Sequence, residues 1–83
     1  MADYLLFATE RYALPILAPL ATALHAQGHR AFSWFEGGAA GGRLDGVTAV
    51  DLKAALALRP RAVFSAANWV PPFVAGAKVQ VFH

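Results

Sequence analysis

Tyr4-Leu5-Leu6-Phe7-Ala8 is a continuous apolar run of strand length, closed by the polar group Thr9-Glu10-Arg11 and followed by a helix-spaced segment ending at Gly28. An unbroken apolar run of this kind fits a strand buried on both faces, the condition of a parallel sheet. The helix reading rests on Leu14, Leu17, Ala18, Ala21, Leu24 and His25, which recur at three- and four-residue spacing, widened by Ile16, Leu20 and Ala23. Pro15 is tolerated in a first turn and Gly28 is a C-terminal stop. Pro19 lacks an amide donor and is expected to bend the helix or delay its regular start.

The alternation continues along the chain. Ala31-Phe32-Ser33-Trp34-Phe35 reads as a second strand, and residues 36–46 as a loop with two Gly-Gly pairs. Val47-Thr48-Ala49-Val50 is a short third strand or an extended approach to Asp51, the N-cap of a helix lined by Leu52, Ala55, Leu56 and Leu58. Pro60 ends that helix. Ala62-Val63-Phe64-Ser65-Ala66 is a strand, Asn68-Trp69-Val70-Pro71-Pro72 a rigid turn, and Lys78-Val79-Gln80-Val81-Phe82 a last strand. This order predicts an α/β fold: a Rossmann-like parallel sheet of four to five strands with two helices and right-handed crossovers, residues 1–83 forming one partial domain. Two helices are few for covering both faces of such a sheet.

Composition narrows the function classes. Of 83 residues, 58% are apolar and 14% charged, against about 25% charged in ordinary domains. Disorder is excluded by the apolar content. The absence of cysteine excludes a disulfide scaffold, a Cys-ligated zinc module and a thiol nucleophile, and fits a reducing compartment. A net charge of +2 is too small for a nucleic-acid footprint. Without interleaved Lys and Arg, Trp34 and Trp69 read as core or interface anchors. So few charges leave either an apolar surface or a surface covered by something else, so a piece of a larger protein or one partner of a homo-oligomer is expected. The longest uncharged stretch, 12–29, has a continuous apolar part of about a dozen residues, short of the roughly 20 of a spanning helix. No basic segment precedes the first apolar run, against a secretory signal. The expected location is cytoplasmic, with peripheral contact at the inner membrane face left open.

In open parallel sheets ligands bind outside the carboxyl ends of the strands. Four segments are expected to gather there: Thr9-Glu10-Arg11, Glu36 with the glycines, Asn68-Trp69, and His83. Thr9 or Glu10 either caps and charges the helix start, or backbone amides there meet an anionic substrate group. The glycine segment lacks dinucleotide spacing and a Lys-Ser/Thr ending, so it reads as a flexible surface loop. His25 falls on the helix stripe as a packed, hydrogen-bonded histidine, and His29 follows Gly28 in a solvated turn. His83 stands at a strand's carboxyl end, where imidazole is either inert or a base near neutral pH. The candidate substrate-binding residues are thus Thr9, Glu10, Arg11, Asn68 and Trp69, with His83 as the candidate catalytic residue. No metal-ligand spacing and no Ser/His/Asp set is present, and no cofactor is implied.

Leu6-Phe7-Ala8-Thr9-Glu10-Arg11-Tyr12-Ala13-Leu14-Pro15-Ile16-Leu17, then Gln27-Gly28-His29-Arg30-Ala31-Phe32-Ser33-Trp34-Phe35, resembles the start of CDP-glycerol glycerophosphotransferase-type proteins. Asn68-Trp69-Val70-Pro71-Pro72-Phe73-Val74-Ala75-Gly76-Ala77-Lys78-Val79-Gln80-Val81-Phe82-His83 is similar to the family segment in which a strand leads to a histidine followed by glycine. The resemblance spans nearly all of the chain and the N-terminal fraction of a family member. It implies two Rossmann-like domains facing a cleft, the GT-B architecture. It also implies transfer of glycerol phosphate from CDP-glycerol to a teichoic-acid-like or other surface polymer at the cytoplasmic membrane face. The family's general base maps onto His83, and Arg11 is the cation expected at the cleft edge. The chain ends before the family's glycine and without the nucleotide-binding domain. The resemblance therefore implies an N-terminal, acceptor-side portion, inactive alone, with the missing domain, CDP-glycerol and a polymer acceptor as partners. Two rival expectations are a small α/β module that oligomerises through an uncovered sheet face, and a fragment of another GT-B glycosyltransferase or sugar-nucleotide epimerase.

Overall fold

The apolar runs of the sequence pair side by side. In the structure, a computed structural model that describes residues 1–67 and 72–81, they form β1 (Asp3–Ala8), β2 (Arg30–Phe35), β3 (Thr48–Ala49), β4 (Ala62–Ser65) and β5 (Ala77–Gln80). The two helices are α1 (Leu14–Ala26) and α2 (Leu52–Leu58), and a 3₁₀ turn, Arg11–Ala13, leads into α1. All pairings are parallel, in the order β3-β2-β1-β4-β5. This is the α/β, Rossmann-like arrangement expected, with five strands and two helices.

Alternation along β1 sends Leu6 and Ala8 to one face and Leu5 and Phe7 to the other. On the first face they join Leu17, Ala21 and Leu24 of α1, with Ala31. On the second face Phe7 and Leu5 meet Trp34, Val63 and Ala55 of α2, with Val74. The helices thus cover opposite faces. Phe7 lies against Trp34 with ring centroids 4.8 Å apart, a separation favourable for an offset aromatic pair.

Local signals place the helix ends. Gly28, at φ +79°, adopts the left-handed conformation that a helix stop favours. The Gly28 amide donates to the His25 carbonyl and the His29 amide to the Leu24 carbonyl, both at 3.0 Å. Asp51 Oδ1 accepts from the Ala54 amide at 2.8 Å, an N-cap worth about 1 kcal/mol. α1 passes through Pro19 without interruption, with the proline on its exposed side, where water can meet the carbonyl whose partner amide is missing.

Three expectations need correction. His25 is exposed rather than packed, because Leu17, Ala21 and Leu24 alone set the buried stripe. His29 is half-buried rather than solvated: its Nδ1 accepts from the Ala2 amide at 3.0 Å, and its ring meets Tyr4 edge-on at 5.2 Å. In α2 only Ala55 is fully buried; Leu52 and Leu56 are 41% and 42% exposed. A seven-residue helix on a short strand pair has room to press one small residue down. The expected thin cover falls on β5, whose four residues are all exposed. The chain's total accessible area is nevertheless 4788 Å², about what its mass predicts for a folded monomer.

The turn into β5 depends on Gly76, at φ +101°, where an added Cβ would run into the Pro60 carbonyl oxygen and the Arg61 backbone. Replacement by alanine combines a disfavoured conformation with a backbone collision. Gly76→Ala is expected to cost on the order of 3 kcal/mol, read as a lowered urea midpoint at unchanged slope. A midpoint within error of the unmodified chain would contradict the geometry.

Candidate functional site

The strand order reverses at β1: β2 lies on one side and β4 on the other. A crevice forms outside the carboxyl ends at such a switch point. The strand tips there are Ala8 and Ala66, and the Ala66 amide donates to the Phe7 carbonyl at 3.3 Å. Of the four segments expected at this rim, the structure brings two together. The Glu36 amide donates to the Ala8 carbonyl at 3.0 Å and the Gly38 amide to the Thr9 carbonyl at 2.9 Å. Asn68, Trp69 and His83 lie outside the described residues, as do Val70 and Pro71 of the expected rigid turn and Phe82 of the last strand.

The glycine segment is a connection between strands, as expected, and its first part carries one regular turn. Gly37–Ala39 forms a 3₁₀ turn, and Ala39 is fully buried in the core beneath it. A Cβ on Gly38 would stand 3.3 Å from the Thr9 carbonyl oxygen and 3.4 Å from Glu10 Oε2, so the Glu10 carboxylate lies against the turn. Leu44 and Val47, further along, pack on the α1 face. This segment covers the sheet where a second crossover helix would otherwise stand.

Neither Thr9 nor Glu10 caps a helix with its side chain. The amides of the helix start are largely spent within the chain. Ala13 donates to the Glu10 carbonyl at 3.0 Å, Leu14 to the Arg11 carbonyl, and Pro15 has no amide proton. Amides of this kind are what phosphate binding at a helix start draws on, and those of Ala13 and Leu14 are committed to the turn. The side chains set the chemistry instead: Glu10, Glu36 and Arg11 are all exposed at this rim. Carboxylates accept hydrogen bonds from hydroxyls, and a guanidinium pairs with an oxyanion. The rim therefore offers acceptors for hydroxyls and one cation for an anionic group.

Two buried serines, Ser33 at 2% exposure and Ser65 at 0%, were not singled out by the sequence reading. Ser65 Oγ accepts from the Ala67 amide at 3.1 Å, shaping the chain as it leaves β4. Ser33 borders a cavity of about 120 Å³ with Phe35, Gly42 and Arg43 at the β2–β3 side of the rim. Their only signal is a hydroxyl inside an apolar strand. Among the described residues, no group of three or more His, Cys, Asp or Glu is placed to hold a metal ion, and no helix is long and apolar enough to cross a membrane.

No protein-family model, no curated protein and no solved structure matches this chain.

If the glycine turn is a rigid part of the rim, it resists substitution. Gly37 has φ +56°, and an added Cβ would sit 3.1 Å from the Thr9 carbonyl oxygen. Gly37→Ala is expected to cost about 1–2 kcal/mol and to shift the Thr9 and Gly38 amide resonances. Unchanged stability and spectra would return the segment to the status of a free loop.

Proposed function

We propose that this chain is the acceptor-side, Rossmann-like portion of a glycerophosphotransferase-type enzyme and is inactive by itself. The observation that carries the reading is the reversal of strand order at β1, with Thr9-Glu10-Arg11 and the Glu36 turn gathered at the resulting crevice. The sequence likeness to CDP-glycerol glycerophosphotransferases supplies the substrate class. In this reading Glu10 and Glu36 accept hydrogen bonds from the hydroxyls of a glycerol-type acceptor, and Arg11 faces its phosphate.

The transfer balances as a substitution at phosphorus. The acceptor hydroxyl gives its proton to the His83 imidazole, and the freed oxygen bonds to the β-phosphorus of CDP-glycerol. The bond from that phosphorus to the CMP oxygen breaks, and CMP leaves. The charge that develops on the phosphoryl oxygens requires cations or amide donors. Arg11 alone is a poor supply, which is the physical reason for inactivity of this portion alone. Donor binding falls to a second domain in this scheme.

Titration of the ¹⁵N-labelled chain with glycerol 3-phosphate tests the acceptor site. Saturable shifts are expected at residues 9–12 and 36–38, with an affinity weakened about tenfold in Arg11→Ala. The chain alone is expected to release no CMP from CDP-glycerol. An absence of saturable shifts, or shifts confined to the amino ends of the strands, would overturn the acceptor site. CMP release by the isolated chain would overturn the claim of inactivity.

A further inference from the structure

The sheet breaks off early on its β3 side. β3 is only Thr48–Ala49, whereas β2 beside it runs on to Phe35. The Ser33 carbonyl accepts from the Val50 amide at 2.8 Å, so the peptide groups of Ser33 face β3. Backbone groups two residues apart along a strand point the same way, which aims the Phe35 amide at the same edge. To continue the ladder, that amide would have to donate to the Val50 carbonyl, but the pairing stops at Ser33 and Ala49. The Phe35 amide therefore has no hydrogen-bond partner among the described residues.

The cavity of about 120 Å³ lies at this break, bounded by Ser33, Phe35, Arg43 and Ala49 together with Gly41 and Gly42. Its walls belong to one face of the sheet. Ala31 and Phe35 pack on the α1 side, and alternation places Ser33, between them, on that side too. Ala49 stands opposite Ser33 in the register. From above, Gly42 comes so close to Leu14 of α1 that a Cβ would stand 2.8 Å from Leu14 Cδ1, and Leu44 packs on the same face. The stretch 41–44 thus roofs the cavity. Val50 also bounds it but packs its side chain on the opposite face, so it meets the cavity along the open sheet edge.

Three polar groups there are uncommitted. Ser33 is 2% exposed, yet its hydroxyl has no hydrogen-bond partner among the described residues. Every described side-chain N or O that is shut off from solvent does have one, so the Ser33 Oγ opens on the cavity. Arg43 makes no ion pair among the described residues. It shares a second cavity with Thr22 and Asp45, without pairing to that carboxylate, and no carboxylate bounds the smaller cavity. With the Phe35 amide, these groups offer a hydroxyl, a backbone N–H and a guanidinium, and a guanidinium prefers an oxyanion. A buried amide or hydroxyl left unpaired is costly, and a ligand that accepts from it offsets that cost. The volume is that of about four waters at roughly 30 Å³ each, far below the roughly 300 Å³ at which sites for larger ligands begin. It has room for a single small ion.

We infer that this cavity binds one small free oxyanion, of acetate or phosphate size. Arg43 is its counter-ion, and the Phe35 amide and the Ser33 hydroxyl donate to it. The site lies at the outer edge of β2, apart from the crevice at the tips of β1 and β4, and does not rest on the transferase reading.

The test is a titration of the ¹⁵N-labelled chain with acetate and with inorganic phosphate, at an ionic strength held constant with sodium chloride. Saturable shifts are expected at the amides of Ser33, Phe35, Gly41, Gly42 and Arg43, largest at Phe35, with a dissociation constant in the millimolar range. Whichever ion binds more tightly identifies the head group. Arg43→Ala alters an exposed side chain and is expected to weaken binding about tenfold. Ser33→Ala is expected to weaken it about threefold to tenfold. Ser33→Ala is also expected to leave the urea midpoint unchanged or raised, because the hydroxyl it removes has no partner. Shifts that are absent or that sodium chloride alone reproduces, unchanged affinity in either variant, or a lowered midpoint in Ser33→Ala would overturn the site.

Discussion

The structure turns on β1 having no free side. Both of its edges are hydrogen-bonded, to β2 and to β4, and both of its faces are covered. Leu5, Leu6, Phe7 and Ala8 are at most 1% exposed as a result. Burying a large apolar side chain contributes about 1.5–3 kcal/mol, so three such residues in succession outweigh any local preference. The topology follows. The β1-to-β2 crossover runs outward on one side, and the β3-to-β4 crossover returns past β1 in the opposite direction. Right-handed crossovers in opposite directions put their helices on opposite faces, so α1 and α2 sandwich β1. The crevice at the tips of β1 and β4 is a consequence of the same reversal.

Such a sandwich must be thin, because the helices are short and few. Half of the buried apolar residues described are alanines, among them Ala8, Ala13, Ala21, Ala31, Ala39 and Ala55. Alanine lets backbone approach backbone closely, at the cost of less apolar area buried per residue. This explains how a chain with so little charge presents an ordinary total surface: much of its apolar content is small. The glycine turn belongs to the same solution. Gly38 approaches Thr9, and Gly42 approaches Leu14 so closely that a Cβ would stand 2.8 Å from Leu14 Cδ1. A Cβ at Gly37 or Gly38 would press on the Thr9 carbonyl oxygen, so the turn sits close to the chain beneath it.

The fold was legible where the signal was one of period or of stereochemistry. The unbroken run of β1, the cap at Asp51 and the stop at Gly28 each correspond to a physical requirement that few residue types meet. What was not legible depends on which neighbours arrive. His25 shares the spacing of Ala18 and Ala21 but stands about 100° round α1 from Leu24, off the stripe that Leu17, Ala21 and Leu24 bury. The ordering of residues 37–39 is invisible in a run of glycines, because it is made by the Gly38 and Ala39 amides meeting the carbonyls of Thr9 and Glu36, just beyond the ends of β1 and β2. Of the candidate site, topology gave the location through Thr9-Glu10-Arg11 and Glu36. The Ala13 and Leu14 amides bond to the Glu10 and Arg11 carbonyls because a 3₁₀ turn precedes α1, and residue spacing alone does not separate such a turn from the helix it leads into.

The polarity of the surface has a structural origin before it has a functional one. Both helices run antiparallel to the strands, so their amino termini lie at the carboxyl rim and their carboxyl termini at the amino rim. Helix dipoles favour acids at the first and bases at the second. Asp51 at the start of α2, with Arg59 and His25 at the helix ends, satisfies that preference. The requirement does not extend to Glu36, which follows β2, or to Arg30 and Arg61, which lead into strands. Those residues extend the bias beyond what the dipoles demand, and it is moderated at each rim by opposite charges, Arg11 and Lys53 among the acids and Asp3 paired with Arg30 among the bases.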